Sequence, residues 1–229
     1  MIELRQVTKR YRRKIALNEV NITLTPRKIY GLVGENGSGK STMLKLIAGL
    51  IYPTRGEVLV DGNRVDRRVS SVVSFLSELD EYYSFFNVEQ TIAFYHSQFP
   101  DFDLEKANEM VKFMKLDRKA KLKELSKGNR GRLKLVLSLS RNAPIILMDE
   151  PLSGLDPMVR NSIVKGLISF IDIDKQLVLI TTHEIQEIEN ILDEVIAIKD
   201  GKIIGRKVVE QLREQENVGI VDWLTSIYE

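Results

Sequence analysis

The sequence has no cysteine, which excludes a disulfide framework and thiolate metal sites and suits a reducing compartment. No run of about 18 apolar residues occurs, so no segment reads as a spanning helix. The opening MIELRQVTKR also lacks the apolar stretch of a signal peptide. Nor is there an excess of charge of one sign. The 34 basic and 32 acidic side chains leave +2, and a near balance gives no general reason to expect a nucleic-acid partner. Internal repeats, low-complexity tracts and evident linkers are likewise absent. What remains is a chain of 229 residues, 43% hydrophobic and 29% charged, ordinary values for a globular chain that buries a substantial core.

The apolar pattern changes period along the chain. Ile2, Leu4 and Gln6, then Val20, Ile22 and Leu24, alternate as in half-buried strands joined by the basic stretch 8–14 and predict an antiparallel hairpin or small sheet. Residues 29–33 read as a strand ending in a glycine-rich turn, and 40–50 as a helix stopped by Pro53. Strands are expected at 57–60 and 69–76, then amphipathic helices at 88–99, 104–116 and 130–140 with no strand between them. Strand signals return at 145–148, 177–181 and 195–198, separated by helical segments at 157–170 and 184–192. That alternation predicts an α/β fold with a parallel sheet. The expected division is a core lobe of residues 1–81 and 142–229 and a helical lobe of 82–141. The stretch 208–229 reads as helical and charged, with no identifiable chemistry.

The strongest motif is GENGSGKST, residues 34–42, a phosphate-loop pattern lying between an apolar strand and a helix, where that pattern must lie. Gly34, Gly37 and Gly39 let the backbone of Glu35, Asn36 and Ser38 wrap close to a polyphosphate. They present amide N–H groups and the positive end of the helix dipole to it. Lys40 would reach the β and γ phosphates and Ser41 would place its hydroxyl on Mg²⁺. Thr42 would cap the helix or touch the α phosphate.

The second motif is the apolar strand at 145–148 ending in Asp149 and Glu150. It would deliver two carboxylates to the carboxyl edge of a sheet, where ligands bind. Adjacent acids after a strand also occur as solvated turn residues. A phosphate loop, however, creates a need for a second Mg²⁺ ligand, which Asp149 meets. Alternation along an extended segment would point Glu150 elsewhere, beside the γ phosphate, as a general base.

Taken in order, these residues resemble the ATP-binding subunits of ATP-binding cassette (ABC) transporters, across nearly the whole chain. The resemblance implies a P-loop cassette with a RecA-like mixed or parallel sheet core, an N-terminal antiparallel β subdomain and an α-helical subdomain. LSKGNRGRL, residues 125–133, begins a helix with Ser126 at the cap position and resembles the family signature LSGGQ, with Lys127 in place of a glycine and Asn129 in place of glutamine. Through Ser126, Lys127 and Gly128, it implies contact with the γ phosphate of ATP held by a second subunit, so that two chains, alike or merely related, sandwich two ATP molecules. PLSGLDP resembles the family's D-loop, with Ser153, Gly154, Leu155 and Asp156 at the subunit interface. His183 matches the switch histidine, which touches the γ phosphate and orients the water or Glu150.

Tyr11 resembles the aromatic that stacks on adenine; the other reading is an exposed hairpin of solvated basic residues. Where the family has a metal-sensing glutamine, spacing puts Glu78, whose added negative charge near the phosphates implies slower hydrolysis or weaker coupling. Tyr82, Tyr83, Phe85 and Phe86 fall where the family docks a transmembrane subunit, and the other reading is a helical-lobe core.

The implied activity is ATP hydrolysis driving transport through separate transmembrane subunits, with the chain peripheral on the cytoplasmic face of the membrane. LSKGNR, Glu78 and the short helical lobe resemble bacterial drug or peptide exporters, with import as the other direction. Two further readings stay open at this point. One is an ATP-binding regulatory or scaffold module with negligible turnover. The other is a cassette acting on ribosomes or DNA, which is not favoured without a second cassette or a coiled-coil insertion.

Overall fold

The computed structural model describes residues 1–77, 83, 85–183, 185–214 and 218–228. Strands β1 (Ile2–Tyr11) and β2 (Lys14–Leu24) form the expected hairpin, and β4 (Arg55–Val60) and β5 (Asn63–Arg64) extend it into an antiparallel sheet of order β2-β1-β4-β5. The second sheet, of order β10-β9-β3-β8-β7-β6, contains β3 (Lys28–Val33), β6 (Val73–Leu76), β7 (Ile145–Asp149), β8 (Leu177–Thr182), β9 (Glu194–Lys199) and β10 (Lys202–Val208). All its pairings are parallel except that of β10 with β9.

Every residue of β7 and β8 is buried, as expected of parallel strands covered on both faces. Their period of two divides them between two cores. Ile146, Met148, Val178 and Ile180 join the core under the helices, whereas Ile145, Leu147, Leu177 and Leu179 join the one beneath the antiparallel sheet. The latter core also takes Met43, Leu44 and Ile47 of helix α1 (Lys40–Ile47). The helices of the other face are α2 (Val88–Gln98), α3 (Leu104–Phe113), α4 (Lys127–Leu139), α5 (Pro157–Phe170), α6 (Val209–Glu214) and α7 (Ile220–Tyr228).

Several boundaries differ from those read in the sequence, for local reasons. Helix α1 stops at Ile47 because Gly49 turns the chain at φ 68°. The strand expected over 69–76 begins only at Val73, since Asp66 caps a 3₁₀ turn over Arg67–Ser71 by accepting from the Arg68 amide. The helix expected over 184–192 is instead two short 3₁₀ turns, Ile185–Glu187 and Glu189–Ile191. Helix α4, by contrast, starts where the signature motif is read to start it, at a cap formed by Ser126, whose Oγ accepts from the Asn129 amide at 3.2 Å, three residues ahead of its apolar pattern. The tail read as helical forms α6 and α7 after Val208, the last residue of β10, a strand not read in the sequence, where Gly205 makes room for the Trp223 ring. Among the described residues no helix is long and apolar enough to cross a membrane.

Candidate active site

The site lies at the carboxyl ends of β3, β7 and β8. After Val33 the chain turns through Gly37 and Gly39, at φ 82° and 116°, in the left-handed region that glycine alone enters freely. Space imposes a second requirement at Gly39, where a Cβ would come within 2.5 Å of the Ala16 carbonyl oxygen. Gly39 stands at the cap position of α1 and provides no side-chain cap. The unpaired amides of the first helical turn therefore face an anion site. Thr42, read as a capping residue, lies inside the helix and does not cap it.

Lys40 is only 5% exposed, and its Nζ donates to the carbonyls of Gly34 at 2.7 Å and Glu35 at 3.2 Å. It also lies 3.3 Å from Glu150 Oε1. Because that oxygen makes no hydrogen bond among the described residues, the contact is one of charge rather than a directed bond. A buried carboxylate without a cation nearby would be strongly disfavoured, so the two groups hold one another in place.

Ser41 Oγ donates to Asp149 Oδ1 at 2.9 Å, and the same oxygen accepts from Thr181 Oγ1 at 3.0 Å. Thr181 Oγ1 in turn accepts from the Glu150 amide at 2.9 Å. A single chain of donors thus fixes both acidic residues, each bond polarising the next. Asp149 is the last residue of β7, but Glu150 is not part of the strand. Its φ of 48° is left-handed, so the divergence of the two carboxylates comes from a turn and not from the strand alternation expected. This unusual backbone brings Glu150 Oε2 to 2.8 Å from His183 Nδ1 and 3.3 Å from the His183 amide. With Glu150 ionised, Nδ1 carries the proton and donates.

A cleft of about 300 Å³ opens over these groups. Tyr11 and Lys14 line it from the hairpin; Asn36, Gly37, Gly39, Lys40, Ser41 and Thr42 line it from the loop and α1; Glu150, Ser153 and His183 close the far side. Gly34 and Glu35 take part through their carbonyls to Lys40. Ser38 is buried, and its own carbonyl accepts from Gly201 N at 2.9 Å.

Ser126, Lys127 and Gly128 do not line this cleft. Lys127 projects beside Gly154, into a neighbouring cleft of about 320 Å³ shared with Lys134, Asp149, Glu150 and Ser153. Glu78 and Tyr82 lie outside the described residues. Thr181 is a site residue that the sequence reading did not single out, and Ser153, read only as part of the interface turn, lines the cleft of its own chain as well. Two threonines ending the otherwise aliphatic run LVLITT were the available signal for the first.

Ser41 Oγ and Asp149 Oδ1 also form a hard-oxygen pair. Their 2.9 Å separation matches that of adjacent corners of a Mg²⁺ octahedron with ligands at about 2.0–2.1 Å. Among the described residues there is no cluster of three or more His, Asp or Glu that would hold a metal by itself. The pair therefore suits a cation that also takes oxygens from a phosphate and water.

Comparison with known proteins agrees with this geometry. The ABC transporter family model matches residues 17–153. The ABC transporter ATP-binding protein YtrB of Bacillus subtilis (strain 168) is 30% identical over 217 residues, covering 94% of this chain and 74% of YtrB. The Nod factor export ATP-binding protein I of Burkholderia lata is 33% identical over 224 residues, 94% of this chain and 73% of that protein. Among solved structures, a dimeric post-hydrolysis state of the ATP-binding cassette MJ0796, bound to ADP and Pi, superposes with a TM-score of 0.81. The two are 26% identical over 91% of this chain and 99% of that one. The chain belongs to the ABC transporter family, as one of its ATP-binding, ATP-hydrolysing subunits.

Proposed function

We propose that the cleft between Tyr11 and His183 holds ATP with Mg²⁺, that two such cassettes close over two nucleotides, and that closure drives export through separate transmembrane subunits. The observation carrying this reading is the junction of Lys40 and Ser41 with Asp149, Glu150 and His183 at one sheet edge. The open helix start and the Lys40 ammonium bind the β and γ phosphates. Ser41 and Asp149 hold Mg²⁺, which neutralises phosphate charge when bound. Tyr11, exposed at the mouth beside Lys9 at 5.2 Å from its ring centroid, stacks on the base.

As the triphosphate takes up Lys40, the charge contact to Glu150 is released. The carboxylate then accepts a proton from water while the water oxygen bonds to the γ phosphorus and the bond to the ADP oxygen breaks. His183 keeps Glu150 oriented. Ser126, Lys127 and Gly128 face the γ phosphate bound by the second cassette, which accounts for their absence from the cleft of their own chain. Glu78, at the sequence position of the family's metal-sensing glutamine, would offer a further oxygen toward metal or water. Residues 1–81 with 142–229, and 82–141, act as the two lobes whose relative movement accompanies closure.

The transmembrane subunit docks on the aromatic surface of the helical lobe. Phe85 is 70% exposed and Tyr83 53%, and their rings lie 5.6 Å apart beside that of Phe86. An open groove of about 540 Å³ runs past Tyr83, Phe86, Phe94 and Tyr95. Tyr82, read as part of the same surface, lies outside the described residues. Contiguous apolar surface of this kind marks interaction sites, and such docking would hold the chain on the cytoplasmic face of a membrane. Phe85→Ala, coexpressed with the transmembrane subunits, is expected to reduce the fraction retained on washed membranes by about tenfold, with basal turnover within about twofold. Undiminished retention would remove Phe85 from the interface.

Export is favoured by the likeness to the Nod factor export protein. The test of the whole reading is Mg²⁺-dependent ATP turnover of the purified chain against its concentration. A rate rising more steeply than linearly is expected, since each complete site needs two cassettes. Strictly proportional turnover would sink the paired arrangement, and tight binding without turnover would favour the regulatory module.

A further inference from the structure

The last helix carries a contact to the strand ends at the root of the phosphate loop that the nucleotide chemistry does not use. The Tyr228 hydroxyl lies 2.9 Å from the Ile198 carbonyl oxygen and 3.3 Å from that of Val33. Val33 and Ala197 are partners in the parallel pairing of β3 with β9, so the hydroxyl joins the carboxyl ends of both strands just before the loop begins. The Ile198 oxygen is also what Gly34 packs against, since a Cβ there would collide with it and would lie 2.7 Å from Ser38 Oγ. One phenol thus bonds to the oxygen against which the first residue of the loop packs.

Helix α7 has anchors of its own. Trp223 and Leu224 are buried, and Gly205 gives the Trp223 ring its seat. Lys199 Nζ donates to the Tyr228 carbonyl at 2.7 Å and lies 5.6 Å from its ring centroid. On its other side α7 borders an open cleft of about 700 Å³, with Tyr228, Leu224 and Val221 facing Val33, His183 and Ile185. The cleft stops at Val33, the residue before the loop, and the phenol adds a directed bond to the close packing of Gly34 against Ile198. Burial, reinforced by the Glu35 charge, pushes the Tyr228 phenol above its ordinary value, so it remains a hydrogen-bond donor at neutral pH.

We infer that Tyr228 is a positioning residue for the phosphate loop, holding its root so that the amides following Gly34 are already arranged when a triphosphate arrives. This rests on the proposed reading of the cleft as the ATP site. A loop ordered in advance spares the ligand the entropy of ordering it. Loss of that ordering weakens ground state and transition state alike, so it appears in KM more than in kcat.

The test is Tyr228→Phe in the full chain, which removes one oxygen and keeps the ring. KM for ATP is expected to rise about three- to tenfold, the change that follows from one lost hydrogen bond. The kcat stays within about twofold, and amide hydrogen exchange quickens over residues 34–40 while β7 and β8 keep their protection. An unchanged KM, or faster exchange confined to α7, would overturn the inference. If Tyr228→Phe does not fold, Lys199→Met, which loosens the same helix end but leaves the hydroxyl, must raise KM without lowering kcat, and a fall in kcat alone would overturn the idea. Lys40→Ala measured alongside separates the two levels. ATP binding unaffected in that variant would overturn the site reading itself, whereas binding lost there but normal in Tyr228→Phe would overturn only the role of Tyr228.

Discussion

Glu150→Gln is expected to lower ATP turnover by about 10²–10⁴-fold, the range that removal of a general base commands, while ATP binding is kept or tightened. The amide has the shape of the carboxylate and can still meet His183, but it cannot take the proton of an attacking water. The tightening follows from the nucleotide-free geometry. Lys40, now 3.3 Å from Glu150 Oε1, loses a competing anion and is more available to phosphate, and a negative charge facing the γ phosphate disappears. The variant should therefore accumulate as an ATP-bound closed pair, read as a doubling of mass by light scattering only when ATP is present. Turnover within a few-fold of the unaltered chain would remove Glu150 from the role of base. A variant that no longer binds ATP would show that its carboxylate organises the loop instead.

Lys40→Ala is expected to reduce ATP affinity by about 10²-fold or more, since a charge-assisted contact to two phosphates is lost together with the ammonium that bridges the loop. The effect is not confined to ligand binding. Removal of Lys40 takes its donor from the Gly34 carbonyl, leaves the Glu35 carbonyl to the Ser38 amide, and leaves a buried Glu150 carboxylate without its neighbouring cation. The nucleotide-free variant should therefore melt at a lower temperature than the unaltered chain. Equilibrium binding of a fluorescent ATP analogue and thermal denaturation without nucleotide check the two halves separately. Retained affinity would contradict the phosphate-loop role, while reduced affinity at unchanged stability would mean that the Lys40–Glu150 contact contributes nothing to the folded state.

The elements that could be read from sequence were those with one dominant cause. The uninterrupted apolar runs of β7 and β8 have no amphipathic alternative, and the hairpin of β1 and β2 showed its period of two. The loop of residues 34–42 combined glycine geometry with a lysine and a hydroxyl at fixed spacing. The misread segments were those where local and tertiary terms compete. Residues 184–192 have helical spacing but form two 3₁₀ turns, and 69–72 carry strand-forming valines yet are diverted by the side chain of Asp66. At the site, the residues were legible from the motif but their relations were not. The pairing of Lys40 with Glu150 and the link from Thr181 to both acids depend on which strands lie next to one another, and a linear pattern does not state that. Tyr228, 195 positions beyond Val33 at the root of the loop, gave no sequence signal of that contact.

The strand order β3-β8-β7 separates the loop-bearing strand from the acid-bearing strand by one intervening strand. At about 4.8 Å per interval, this sets the two chain ends about 9–10 Å apart. Were β3 and β7 direct neighbours, Lys40 and Ser41 would crowd Asp149 and Glu150 with no room between; with two strands interposed, neither pair could reach the same small anion. β8 is therefore the gauge of the site. It supplies Thr181 to hold the acids, but its larger contribution is its own width, a span that only the side chains bridge, Ser41 to Asp149 at 2.9 Å and Lys40 to Glu150 at 3.3 Å.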